Sequence, residues 1–208
     1  MTIISLKTEA GGDLNRIGLS DGSLFSFRIC YLPPELNISS DGLCLNEGDE
    51  ISAAEEAAFR FASECLRAEK AALRLITRAE QCTFGLSRKL EKRGAAAACI
   101  SAVISRLLDL GLLDDARFAK AWLTSRLRLA RSPRRLFVSL CGRGISRDDA
   151  ETALKSVLDE ETEFVMLKRF VKKYARKAGT DVRSQKYFLK NEGFSHEVIH
   201  KFLGLEYD

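Results

Sequence analysis

Three segments of this chain share one frame. Leu90-Glu-Lys-Arg-Gly94, Leu140-Cys-Gly-Arg-Gly144 and Leu189-Lys-Asn-Glu-Gly193 each set a leucine four residues before a glycine, and the glycines recur 50 and 49 residues apart. The next position holds Ala95, Ile145 or Phe194. Six positions after the glycine stands Ile100, Ala150 or Ile199, and nine after it Val103, Ala153 or Phe202. Twelve before it stands Cys82, Ser132 or Asp181, of which the last two are good helix N-caps. A glycine at such a point suits the left-handed residue that closes a helix. Each unit therefore predicts three helices: a long one running up to the cap, a short one ending at the glycine, and a third after it. Ser146 and Ser195 cap that third helix in the second and third units, and Ser132-Pro133 supplies a cap with proline at N1.

A self-similar period of this length is the signature of a repeat array whose neighbours bury each other's faces. The expected fold is mainly α, an elongated, curved array of tandem three-helix repeats with a small β-hairpin or sheet region at the N-terminus. The expected boundaries are residues 1–50 for the β region, 51–113 for the first repeat with its leading helix, 114–162 for the second and 163–208 for the third. In the β region, Asn15–Ser20 and Ser23–Ile29 flank Asp21-Gly22, a dipeptide that accepts the backbone of a tight hairpin. So small a sheet buries too little to stand alone, and is expected to lean on the first helices.

The segment Gly111-Leu-Leu-Asp-Asp-Ala-Arg-Phe-Ala-Lys-Ala-Trp122 sets two acids together, which raises the question of a metal pair. Gly111 closes one helix, so the next begins with Asp114 as N-cap and Asp115 at N1, while Leu113 and Phe118 form a hydrophobic staple. No third acid or histidine lies nearby to complete a coordination shell. At 100° per residue Phe118, Trp122 and Leu129 share an apolar stripe flanked by Ala119, and Arg117, Lys120, Arg128 and Arg131 lie opposite. Arg126 falls inside the apolar arc, where it either snorkels or pairs with an acid of another repeat.

Charge divides the chain. Residues 1–66 hold 4 Lys/Arg against 11 Asp/Glu, whereas residues 67–208 hold 29 against 18. Residues 116–147 carry nine basic side chains and no acid, and 167–190 carry nine more against Asp181 alone. Solvated faces interleave both signs, so these runs point to an anion-recognising surface. The expected contacts are Arg117, Lys120, Arg128, Arg131, Arg134 and Arg135 from the second repeat, with Lys168, Lys172, Lys173 and Arg176 from the third.

Several classes are disfavoured. There is no GxxxxGK[ST], no GxGxxG after a strand and no GxSxG. His196-Glu-Val-Ile-His200 matches H-E-x-x-H, yet the chain has only 2 histidines. Only Glu206 and Asp208 could follow as a third ligand, and both histidines align with Arg147 and Glu151, polar positions of the second repeat. No catalytic residue, cofactor or metal is expected. The six cysteines, with no CxxC among them, suit reduced thiols. No apolar run is long enough to span a membrane, the opening MTIISLKTEAGG does not resemble a secretory leader, and no sustained heptad seam appears. The expectation is a cytoplasmic monomer.

Gly111-Leu-Leu-Asp-Asp-x-Arg-Phe-Ala-x-x-Trp, reinforced by Pro133 and Leu140-x-x-x-Gly144-Ile, resembles the core of the RecX family of bacterial regulators. Arg78-Ala…Leu90-x-x-x-Gly94 is similar to the preceding block of that family, and Gly42-Leu…Glu47-Gly48 to the turn closing its N-terminal β region. Leu112 stands where an aromatic is usual, and Ser132 where a glycine often precedes the proline. The resemblance implies a non-enzymatic modulator of the RecA recombinase in DNA repair, homologous recombination and the SOS response. It would dock in the groove of the RecA–DNA filament and block extension or favour disassembly, lowering ATPase, strand exchange and coprotease activity. The resemblance also leaves room for direct contact with single- or double-stranded DNA. The rival reading from charge alone is a nucleic-acid-binding helical-repeat protein that coats phosphate backbone.

Overall fold

The structure is a computed structural model. It describes residues 1–9, 13–36, 45–178 and 181–205 together with the backbone of 38–39 and 42–43; for 175–178 it describes backbone alone. The resembling turn at Gly42–Gly48 and the residues Arg176, Glu206 and Asp208 therefore lie partly or wholly outside the described side chains.

Three strands, β1 (Ile3–Thr8), β2 (Leu14–Leu19) and β3 (Leu24–Arg28), form an antiparallel sheet in that order. The β2–β3 hairpin turns at Asp21-Gly22 as expected, with Gly22 at φ 86° and Ser23 N–H bound to the Asp21 carboxylate at 2.9 Å. A second pair, β4 (Ile38–Ser39) with β5 (Gly42–Leu43), is short. Nine helices follow among the described residues: α1 (Ala53–Arg78), α2 (Thr83–Glu91), α3 (Ala97–Asp109), α4 (Asp115–Thr124), α5 (Pro133–Cys141), α6 (Arg147–Val157), α7 (Glu160–Ala178), α8 (Val182–Asn191) and α9 (His196–Leu203). The fold is mainly α, with helices in threes behind a small sheet.

The Leu-x-x-x-Gly frame closes a helix in every copy. Gly94, Gly144 and Gly193 adopt φ of 81°, 83° and 84°. The amide after each glycine bonds the leucine carbonyl: Ala95 to Leu90 at 3.2 Å, Ile145 to Leu140 at 3.3 Å, Phe194 to Leu189 at 3.2 Å. This is the six-to-one bond of a Schellman ending, and its usual apolar contact comes with it. Leu90, Leu140 and Leu189 are buried, as are Ile145 and Phe194. A fourth instance, Leu107-x-x-x-Gly111, ends α3, with Leu112 N–H on the Leu107 carbonyl at 2.9 Å.

The chain divides into two compact bodies. The first contains Met1–Ala79 and Leu86–Leu113, the second Glu80–Gly85 and Asp114–Asp208. In the first, the sheet leans on α1 as anticipated: Phe27 and Phe59 stack with ring centroids 5.1 Å apart. Behind them lies a charged knot. The Glu69 carboxylate, 3% exposed, accepts from Arg28 Nε at 2.9 Å and Tyr31 Oη at 3.3 Å. Asp13 accepts from Arg28 at 2.7 Å and Arg106 at 3.1 Å, so one network ties sheet, α1 and α3 together.

In the second body α4, α5 and α6 share a core with α7, α8 and α9, built on Leu123, Leu136, Leu140, Leu167 and Phe170. One expected helix is shorter than its pattern. α4 ends at Thr124 and not near the Ser132 cap, which removes Leu129 from the Phe118–Trp122 stripe and leaves it 46% exposed. The Thr124 and Ser125 hydroxyls donate to the carbonyls of Lys120 and Trp122 at 2.9 and 2.7 Å. Such local bonds compete with the helical ladder, and residues 125–130 turn instead.

The glycines separate two costs. Beside Gly94 a Cβ would meet nothing within 4 Å, whereas beside Gly144 it would lie 2.4 Å from Cβ of Phe84. Gly94→Ala should cost about 1–2 kcal/mol from the left-handed backbone alone. Gly144→Ala should cost about 1–3 kcal/mol more through overpacking. Urea denaturation followed by helical circular dichroism would measure both, and equal losses would refute the close approach of Phe84.

Candidate anion-binding surface

Both aspartates of the opening motif act at helix starts. Asp114 is the N-cap of α4, accepting from Arg117 N–H at 2.9 Å. Asp115 reaches further than its N1 position implied: its carboxylate accepts the Thr83 N–H at 2.7 Å and so caps α2, where Cys82 offers only a thiol. Cys82 Sγ instead donates to the Arg143 carbonyl at 3.4 Å. Leu113 is buried in the core of the first body, while Phe118 lies against the core of the second. Ala119 and Trp122 are buried there too.

The structure sorts the basic residues. Arg117 donates to Glu80 at 2.7 Å, a bond that pushes its guanidinium pKa further up. Arg135 is held more firmly. Its guanidinium makes two bonds to Glu192, at 3.1 and 3.0 Å, and lies 5.3 and 4.5 Å from the ring centres of Phe170 and Tyr174. Ser132, the N-cap of α5, also donates its hydroxyl to Glu192. Burial alone would raise the Glu192 carboxyl pKa, but the bonds from Arg135 and Ser132 outweigh it and hold the value below the ordinary 4.5. Arg135 thus joins α5 to α7 and α8. Arg126 answers its puzzle differently from either expectation: it lies 4.8 Å from the Trp122 ring centre, and Arg143 lies 4.6 Å from the same ring. A buried indole flanked by two guanidiniums is a cation–π arrangement.

Among the other candidates Lys120, Arg128, Lys172 and Lys173 are exposed, and Lys168 is exposed with its ammonium 4.3 Å from the Phe164 ring centre. Lys120, Arg128, Arg131 and Lys172 form no ion pair with any described residue. Arg131, Arg134, Lys173 and the inward-turned Arg135 line one open groove of about 590 Å³ between α5, α7 and the end of α8. Val138, 60% exposed, and Tyr174 give it apolar surface. Arg134 is anchored by one bond to the Asn191 carbonyl at 2.9 Å and is otherwise exposed. On α8 itself, Arg183, Tyr187 and Lys190 stand at i, i+4 and i+7, all exposed. Tyr187 is 69% exposed, a base–aromatic–base stripe that its own spacing could have signalled. Guanidiniums and ammoniums bind anions by charge and hydrogen bonds. Such side chains can hold an anion but offer no acid–base chemistry at neutral pH.

The rings of His196 and His200 lie tilted to each other with centroids 3.9 Å apart, and His200 is buried, contrary to the polar position that repeat alignment gave it. Its Nε2 lies 2.7 Å from Lys186 Nζ. Among the described residues no three His, Cys, Asp or Glu side chains gather as a metal cage.

The class defined by these features is a three-helix-repeat protein. A family model described as "RecX, second three-helix domain" matches residues 114–154. The curated regulatory protein RecX of Treponema pallidum (strain Nichols) is 34% identical over 147 residues, covering 70% of this chain and 89% of its own length. That of Ectopseudomonas mendocina (strain ymp) is 34% identical over 143 residues, covering 66% and 93%. A crystal structure of a regulatory protein RecX superposes with TM-score 0.69 at 18% identity over 98% of both chains. RecX from Lactobacillus salivarius reaches TM-score 0.55 at 22% identity, covering 69% of this chain and 96% of that one. The chain belongs to the RecX family, whose curated members carry the name of regulatory proteins rather than of enzymes. No helix among the described residues is long and apolar enough to cross a membrane.

Glu192→Gln keeps the shape and removes the charge. With Arg135 39% exposed, the loss at neutral pH should be about 1–2 kcal/mol, below the range of fully buried pairs. A depressed folded pKa contributes stability above the unfolded value and loses it as pH falls through the folded value. The gap between wild type and variant should therefore shrink below pH 4.5. Denaturant midpoints measured at neutral pH and at about pH 3 test this; an unchanged gap would count against the charged bridge.

Proposed function

We propose that this protein is a regulator, and specifically an inhibitor, of the RecA recombinase. It docks in the groove of the RecA–DNA filament, blocks extension or promotes disassembly, and so lowers ATPase, strand exchange and coprotease activity in the bacterial cytoplasm. The observation that carries the reading is the convergence of Arg131, Arg134 and Lys173, from two successive repeats, on one open groove with apolar walls. A protein groove that also exposes DNA phosphates offers acidic side chains, apolar contacts and a polyanion together. Bases alone would suit phosphate; Val138 and Tyr174 beside them suit a protein surface as well. Arg135 supports the groove from within; the exposed Lys120, Arg128, Lys168 and Lys172, and Arg117 beside Glu80, complete the proposed set of contacts. Arg176 belongs to the same proposed surface through its place on α7.

The test is DNA-dependent ATP hydrolysis by the cognate RecA, titrated with this protein from far below to one equivalent. Inhibition well below one molecule per protomer is expected, since blocking a filament end needs few copies. Inhibition only when DNA is saturated would favour simple phosphate coating. The variant Arg131→Glu, Arg134→Glu, Lys173→Glu should fold normally and need about tenfold more protein for half-inhibition, a loss near 1.4 kcal/mol in binding. Unchanged potency would remove the groove from the interface.

A further inference from the structure

The first body carries a basic face that the charge runs of residues 116–147 and 167–190 do not include. On α1, Arg67, Lys70, Arg74 and Arg78 fall within about 80° of arc at 100° per residue, and all four are exposed. They span roughly 16 Å along the helix axis at 1.5 Å per residue. The helix has one other charge in this stretch, Glu69, and that acid is turned inward, 3% exposed, onto Arg28 and Arg106. Glu64 comes no nearer to Arg67 than 3.9 Å, and Lys70, Arg74 and Arg78 form no ion pair with any described residue. The three last turns of α1 thus present one sign of charge to solvent.

The helix itself does not call for this. Its dipole favours cations in the final turn, which accounts for Arg78 but not for Lys70 or Arg67, two and three turns back. Lys70, Arg74 and Arg78 stand at i, i+4 spacing, where like charges disfavour an isolated helix. A row of cations held against its own repulsion is stabilised by an extended anion. Beside it, Arg67 and Arg93 line a notch of about 290 Å³ with Ala68, Ala71 and Ala95, small side chains that let a chain approach the helix closely, and the two arginines there outnumber the one acid, Glu64. Between the cations the helix itself offers no exposed aromatic or aliphatic side chain of the kind that dominates protein interfaces, and the exposed Leu24 borders only Arg67 and Lys70 at one end of the stripe. Evenly repeated charge with so little apolar surface along it matches a sugar-phosphate backbone.

We infer that the last three turns of α1 form a second docking face, separate from the groove of the second body, which binds one row of phosphates of single-stranded nucleic acid without reading its sequence. The inference does not rest on the RecA reading and stands or falls apart from it.

The experiment is fluorescence anisotropy of a labelled thymidine homopolymer with the full chain over a range of salt, wild type against Lys70→Gln, Arg74→Gln, Arg78→Gln. Each phosphate contact on single strands contributes about 0.7 to the slope of log affinity against log salt. The triple variant should therefore lose about 2 from that slope and about tenfold or more in affinity at low salt. An adenine homopolymer should behave the same way. An unchanged slope would overturn the inference, as would an equal response to polyglutamate of matched charge, which would make the occupant an acidic protein. Circular dichroism checks folding; should the triple variant unfold, Arg74→Gln alone should still reduce the slope by about 0.7. Arg134→Glu, measured alongside, should leave the α1 contribution to the slope in place.

Discussion

The hydrogen bond from the amide after a glycine back to the leucine carbonyl five residues earlier sets the course of the helical chain. It occurs at Ala95, Leu112, Ile145 and Phe194. Each bond satisfies a carbonyl that the helix end would otherwise leave open, and the chain then turns a side chain into the core, Ile145 and Phe194 in their units and Leu113 after Gly111. Because leucine and the residue beyond glycine are thereby brought together, one local motif both ends a helix and starts the packing of the following one. The caps at Asp114, Ser132, Ser146, Asp181 and Ser195 then begin the new helices with a side-chain acceptor. Alternating stop and start signals of this kind are enough to generate the three-helix period.

Several acids in this protein bond to a neighbouring element of the fold. Glu69 is enclosed by arginines from the sheet and α3. Asp115 caps α2, Glu163 accepts the Ser195 amide at 2.6 Å, and Glu192 gathers Ser132 and Arg135. Glu69 and Glu163 are thereby buried. On α1 the withdrawal of Glu69 leaves the outer face with one sign of charge, whereas residues 116–147 owe theirs to a sequence without any acid. On α1, charge pairing inside and single-sign charge outside are two results of the same distribution.

How much of this could be read from residue order depends on range. The glycine frame, the hairpin at Asp21-Gly22 and the serine and aspartate caps are local, decided within about six residues, and were legible. The end of α4 was not, because the apolar period continues through Leu129 while the Thr124 and Ser125 hydroxyls break the ladder beneath it. Nor could order alone separate Arg135 from Arg134. They are neighbours in one basic run, yet Glu192, 57 residues away, holds the first and leaves the second at the surface. The same holds for Asp115 and Thr83, and for His200, whose polar slot in the repeat proved to be buried. Partners distant in sequence decide which charges are structural.

Trp122 is the only tryptophan in the chain, and it lies in the core of the second body between the guanidiniums of Arg126 and Arg143. Its ultraviolet emission is therefore an internal optical probe whose origin needs no deconvolution. Indole light comes from the second body alone, and the first is silent at that wavelength. With two cations on the ring, the signal senses both the loss of core packing and any displacement of the neighbouring arginines. The protein thus carries, without labelling, a spectroscopic means of observing one of its two bodies independently of the other.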